Sequence, residues 1–234
     1  MTQCRQLKNI GRFAPPALEM PPSQSGIFAL DLICRLSQEP LMATSAPTES
    51  PVKLVRTKRF GDDRGWFSET YSEQSWAALG VSSKFVQDNH SLSRQAGTLR
   101  GIHFQSPPHA QDKLVRCTRG SIMDYAVDLR RGSPTYGEHV AIELSAENGL
   151  QLFVPVGFGH AFVTLTGDTE VIYKVSDVYA PDCDGGIRWN CPSLAIDWPL
   201  PASGPTLSNK DGKLPVLAEF DSPFTYDGRP LLPL

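Results

Sequence analysis

From Val52 to about Val175 the apolar residues fall in short runs that alternate with polar ones and are separated by glycine, proline and polar turns. Successive side chains of a β-strand point to opposite faces, so such alternation marks half-buried strands. Strands are expected at residues 52–57, 84–89, 98–104, 113–119, 121–129, 139–144, 151–154, 161–165 and 169–175. The run 121–129 (SIMDYAVDL) carries Asp124 and Asp128 inside an apolar stretch. Tyr125 and Val127 suit a pleated, half-buried surface, so strand is the better reading. One short helix is expected over 72–79, with Ser72 to cap its free amides and Gly80 to take the left-handed conformation that ends it. Many short strands and little helix describe an all-β sandwich or barrel.

Both ends depart from this pattern. Residues 1–50 lack sustained periodicity and run into a polar, proline-containing stretch, 42–51, that reads as linker, so they are expected to form a poorly ordered extension. Pro15, Pro16, Pro21 and Pro22 break up what would have to be the apolar core of a secretion signal. Met42 is an alternative first residue of the translated chain. Residues 201–234, rich in proline and glycine, read as a tail wrapping the domain formed by 51–200.

Composition narrows the class. The 234 residues, 40% hydrophobic, suffice for one good core but not for two full domains. The net charge of −3 is spread along the chain, without the basic stripe of a nucleic-acid binder. No apolar run approaches the roughly 18 residues of a membrane span. Cys4, Cys34, Cys117, Cys183 and Cys191 are odd in number and form no CxxC pair, which points to a reducing, cytoplasmic setting rather than a disulfide framework or a zinc site.

The candidate chemistry is carried by acid–base side chains. Metal-binding barrels place a His-x-His pair and a glutamate on alternating strand positions. His90, His103, His109, His139 and His160 do not fall in that pattern, so no metal and no cofactor is expected. Three segments offer acid–base groups instead: 98–105 (TLRGIHFQ), 170–174 (EVIYK) and 207–211 (LSNKD). Period two puts Arg100 out of phase with His103 unless Gly101 marks a bulge that turns both toward one cavity. Taken singly, His103 reads as a satisfied structural histidine, Tyr173 as a packed strand residue and Asp211 as a solvated turn carboxylate.

Together the segments resemble those of dTDP-4-dehydrorhamnose 3,5-epimerases. The likeness runs through 60–69 (FGDDRGWFSE), 85–91 (FVQDNHS), 99–105 (LRGIHFQ), 113–117 (KLVRC), 132–137 (GSPTYG), 158–162 (FGHAF), 170–174 (EVIYK) and 187–190 (IRWN), in the family's order. It implies a cupin-like jelly-roll β-barrel with a few short helices, acting as a homodimer on carbons 3 and 5 of a dTDP-linked 4-keto-6-deoxy sugar. By the resemblance, His103 is the base, Asp211 the carboxylate that orients it, Tyr173 the acid, and Lys113 a group near the keto oxygen. Arg64, Glu69, Gln87, Asp88, Asn89, Arg100, His160, Asp184 and Lys210 match substrate-holding positions, with Asp184 standing where the family often has a longer acid. Three other functions compete: a single-carbon epimerase or ketoisomerase on the same barrel, a noncatalytic carbohydrate-binding jelly roll, and a metal-dependent cupin oxygenase. The joint presence of His103, Asp211, Tyr173 and Lys113 weighs against the noncatalytic module.

Overall fold

A computed structural model describes the backbone of residues 42–44 and all of residues 50–234. The rest of the N-terminal extension, with its expected disorder, lies outside the described residues. Within the stretch read as linker, Met42–Thr44 forms strand β1, which pairs antiparallel with β2 (Lys53–Thr57). An edge strand presents unpaired N–H and C=O groups, and even three residues can satisfy some of them.

Two antiparallel sheets face each other. The larger runs in the order β1-β2-β10-β7-β12-β5, with β10 at Leu150–Val154, β7 at Lys113–Arg119, β12 at Thr169–Val175 and β5 at Gln87–Ser93. The smaller runs β13-β6-β11-β8-β9, with β13 at Asp184–Gly186, β6 at Leu99–Gln105, β11 at Phe158–Thr164, β8 at Ser121–Asp128 and β9 at His139–Ser145. This is the expected jelly roll. A separate ribbon, β3 (Phe60–Asp62) with β4 (Gly65–Phe67), was not anticipated; both its strands are exposed along their length, so no alternation announced it.

The strand period sorts the side chains. Leu54, Val115, Leu152 and Val171 of the larger sheet meet Ile122, Ala126, Leu144, Phe158 and Phe162 of the smaller one in the central core. The outer face of the smaller sheet is also covered: Leu99, Ile102, Tyr125, Val127, Ala161 and Val163 pack against Ile187, Leu194 and Trp198, which follow β13, and against Phe224 of the C-terminal segment. Strands buried on both faces need not alternate, which is why all of Phe158–Thr164 is buried. On the outer face of the larger sheet, Trp76 of helix α1 (Glu73–Ala77) is sealed against Val55, Leu114 and Phe153. Five residues cannot hold a helix alone, so this one stands on Trp76 burial and on the Ser72 cap, whose Oγ accepts from the amide of Ser75. Gly80 beyond it has φ +81°.

The C-terminal segment is tied down by polar contacts as well. Arg130 is buried between Asp128, its partner at 2.7 Å, and Asp227, at 2.8 Å, with its guanidinium over the ring of Phe158. Parallel bridges join Thr98 to Thr206 and Arg131 to Thr225.

Candidate active site

The inward-facing positions at one end of the barrel are polar and enclose a cavity of about 330 Å³. Strand β6 contributes Arg100, His103 and Gln105. Its pairing with β11 sets His160 opposite His103 but Phe162 opposite Arg100, so β6 carries one residue more than its partner between these pairs. That bulge restores the phase of Arg100 and His103, and both line the cavity. Gly101, at φ +131°, makes it possible: a Cβ there would lie 2.4 Å from that of Ala161.

The other walls follow from the same alternation. Lys113 opens β7, Tyr173 lies on β12, and Gln87, Asn89 and Ser91 take every second position of β5. Across from them stand His160 on β11 and Asp184 on β13. Ser208, Lys210 and Asp211 reach the cavity from the C-terminal segment. His103 and Tyr173 therefore face one space from opposing sheets.

The closest contact in the cavity joins His103 Nε2 to Asp211 Oδ1. Asp211 is 2% exposed, and its own amide donates to Ser208 Oγ at 3.1 Å, which fixes the turn. Burial lowers the imidazole's affinity for a proton, against the bond and charge of Asp211, and the charges of Lys113 and Lys210 lower it further. Burial would raise the Asp211 carboxyl, but His103, Ser208 and Lys210 outweigh it and hold it below the usual range. The dyad is thus a neutral imidazole held by a carboxylate, with Nδ1 as the ring nitrogen that Asp211 leaves available.

Lys113 Nζ donates to the carbonyl oxygen of His103 at 3.3 Å. Burial pushes its pKa down to about 8, against the raising effect of Asp184 and Asp124, with Lys210 adding to the fall. The Tyr173 hydroxyl is pushed up by burial, Arg100 opposing and Asp184 adding. It therefore holds its proton at neutral pH. At the rim, Asp184 Oδ2 accepts from the Tyr179 hydroxyl at 3.0 Å and from Lys210 Nζ.

Ten of the thirteen expected residues line the cavity, and Arg64, Glu69 and Asp88 do not. Asp88 falls between Gln87 and Asn89, so the strand period turns it outward, where it holds Lys174 of β12 at 2.9 Å. Arg64 sits on the exposed β3–β4 ribbon, paired with Asp62. Glu69 accepts from Ser75 Oγ at 3.1 Å, beside helix α1. Seven cavity residues were not singled out in the sequence: Ser91, Phe104, Gln105, Gln111, Phe162, Tyr179 and Ser208. Alternation from Asn89 gives Ser91, and from His103 gives Gln105; Tyr179, on a loop, has no such signal. Among the described residues no three His, Cys, Asp or Glu side chains come together in a way that could hold a metal ion.

Comparison with known proteins gives a consistent answer. The family model described as dTDP-4-dehydrorhamnose 3,5-epimerase matches residues 50–219. A dTDP-4-dehydrorhamnose 3,5-epimerase of Sinorhizobium fredii is 51% identical over 175 residues, covering 75% of this chain and 89% of the relative. The crystal structure of that enzyme from Bacillus anthracis, with TDP and PPi bound, superposes with a TM-score of 0.72 at 47% identity, over 75% of this chain and 99% of the other. A Legionella pneumophila dTDP-6-deoxy-D-glucose-3,5-epimerase in complex with dTDP-4-keto-L-rhamnose gives a TM-score of 0.74 at 38% identity, over 80% of this chain and all of the other.

Proposed function

The chain belongs to the dTDP-4-dehydrorhamnose 3,5-epimerase family, and we propose that, as an isomerase of that kind, it converts dTDP-4-keto-6-deoxy-D-glucose to dTDP-4-keto-L-rhamnose by inverting carbons 3 and 5. The observation that carries the mechanism is the placement of a neutral imidazole and a protonated phenol on facing sheets of one cavity. Hydrogens on the carbons flanking a ketone become acidic as the enolate oxygen is stabilised. Lys113, buried at the cavity wall, supplies a cation for that oxygen, and one such positioned donor contributes about 3 kcal/mol.

His103 is the base. With Nε2 committed to Asp211, Nδ1 takes the proton from carbon, and the carboxylate stabilises the imidazolium that forms. A single group returning its own proton would restore the starting configuration, so inversion needs a donor on the other face, and Tyr173 fills that place. Each inversion leaves an imidazolium and a phenolate. Both must exchange with solvent before the second carbon is processed, and the charge of Arg100 favours the transient phenolate.

Arg100 and Lys210 are suited to the diphosphate, and the half-exposed ring of Tyr179 at the rim offers a stacking surface for the base. Arg64 and Glu69 lie outside their own chain's cavity, on and beside a ribbon that exposes Phe60, Trp66 and Phe67. A two-stranded ribbon is marginal by itself. Docking of this ribbon on a second copy would cover those rings, bring Arg64 to the partner's substrate and make the enzyme a homodimer. Cys117, Cys183 and Cys191 are free thiols, in keeping with action in the cytoplasm. The test is His103→Asn, whose amide cannot accept the proton near neutral pH. Turnover of dTDP-4-keto-6-deoxy-D-glucose should be abolished, and turnover at the wild-type rate would refute the assignment.

A further inference from the structure

Strand β8 buries two aspartates, and they differ in kind. Asp128 is saturated: its oxygens accept from Arg130, Ser133 and Thr135. Among the described residues Asp124, 0% exposed, has a single partner, His160 Nε2 at 2.7 Å from Oδ1, while Oδ2 is buried with no hydrogen bond. Its strand neighbours on the same face, Ile122 and Ala126, belong to the apolar core. A carboxylate in such surroundings is costly, and a leucine would fill the place without that cost. Nothing in the packing of the barrel calls for it.

The site does call for it. His160 lines the cavity and stands directly across the β6–β11 pair from His103. The cavity wall therefore holds two histidine–carboxylate pairs side by side, His103 with Asp211 and His160 with Asp124. Resting on the epimerase reading above, we propose that Asp124 is a positioning residue for the reaction: it fixes His160, beside His103 in the cavity wall, with a proton on Nε2.

Burial pushes the Asp124 carboxyl up, while His160 and then Lys113 pull it back. The influence on Lys113 is mutual, since Asp184 and Asp124 together oppose the effect of its burial. The other titratable groups around Lys113 are Lys210, whose charge works against it, and His103, His160 and Tyr173 of the neighbouring walls. Among the described residues Asp184 and Asp124 are the groups that support the ammonium, and Asp184 also serves Lys210 and Tyr179. Asp124 has no such competing partner besides His160.

The test is Asp124→Asn, which keeps the shape and removes the charge. The variant should lose about tenfold or more in kcat with little change in KM. A variant that is merely less stable would lower the melting temperature and leave kcat of the folded enzyme at the wild-type value, which would overturn the proposal. A second measurement needs no variant: nitrogen-15 NMR of histidine-labelled wild-type protein should show the His160 ring protonated at Nε2. A neutral ring protonated only at Nδ1 would also overturn it. If the wild-type protein fails to turn over the keto sugar, the epimerase reading falls, and the ring spectrum still reports whether Asp124 positions His160.

Discussion

At the scale of single residues, the chemistry depends on groups whose protonation is set by burial. Lys113 is the sharpest case. Its ammonium loses its proton as pH rises through about 8, well below the value of an exposed lysine. If that charge stabilises the enolate oxygen, kcat/KM of the free enzyme should decline above about pH 8, and a profile level to about pH 10 would show that the charge is not used. The sign for stability is opposite. Above that value the native state has released a proton that the unfolded chain keeps until about pH 10.4, so this group makes the fold more stable as pH rises through the window. The roles proposed for His103, Lys113, Tyr173 and Asp211 come from the family resemblance and not from spacing. Nothing in strand spacing brings residues 103 and 211 together, since Asp211 arrives on a turn of the C-terminal segment. Gln105 and Ser91 follow by alternation once His103 and Asn89 are placed, and Tyr179 does not.

Among the elements, β7 and β12 lie where alternation put them. β5 was expected at 84–89 and runs instead from Gln87 to Ser93. Its inward side is polar because it faces the cavity, so its true period was hidden from a search for apolar residues. The β3–β4 ribbon was hidden for the opposite reason, being exposed on both faces, with Trp66 59% and Phe67 69% exposed. If this ribbon docks on a second copy, Phe67→Glu should shift the protein from dimer to monomer in sedimentation experiments and lower turnover as Arg64 is withdrawn. A stable dimer with the altered ribbon would show that the interface lies elsewhere.

For the molecule as a whole, the family match begins at residue 50, and among the described residues the ladders of both sheets run from residue 42 onward. A chain beginning at Met42 is therefore expected to unfold cooperatively and to turn over substrate as the full chain does; loss of the cooperative transition in calorimetry would show that residues 1–41 belong to the fold. The barrel class followed from the many short strands, whereas the joining of two sheets around one polar end did not, because it depends on long-range register. That joining sets an imidazole and a phenol on opposite sides of one space, and the central claim is that they divide proton removal from proton delivery. The direct measurement is NMR of dTDP-4-keto-6-deoxy-D-glucose incubated in deuterated water with wild-type protein and with Tyr173→Phe, which removes only the hydroxyl. Wild-type enzyme should place deuterium at carbons 3 and 5 with inversion. In the variant His103 still removes protons and returns exchanged ones to the same face, so deuterium should continue to enter while inversion slows by about 10² to 10⁴. Inversion of both carbons at the wild-type rate would contradict the account.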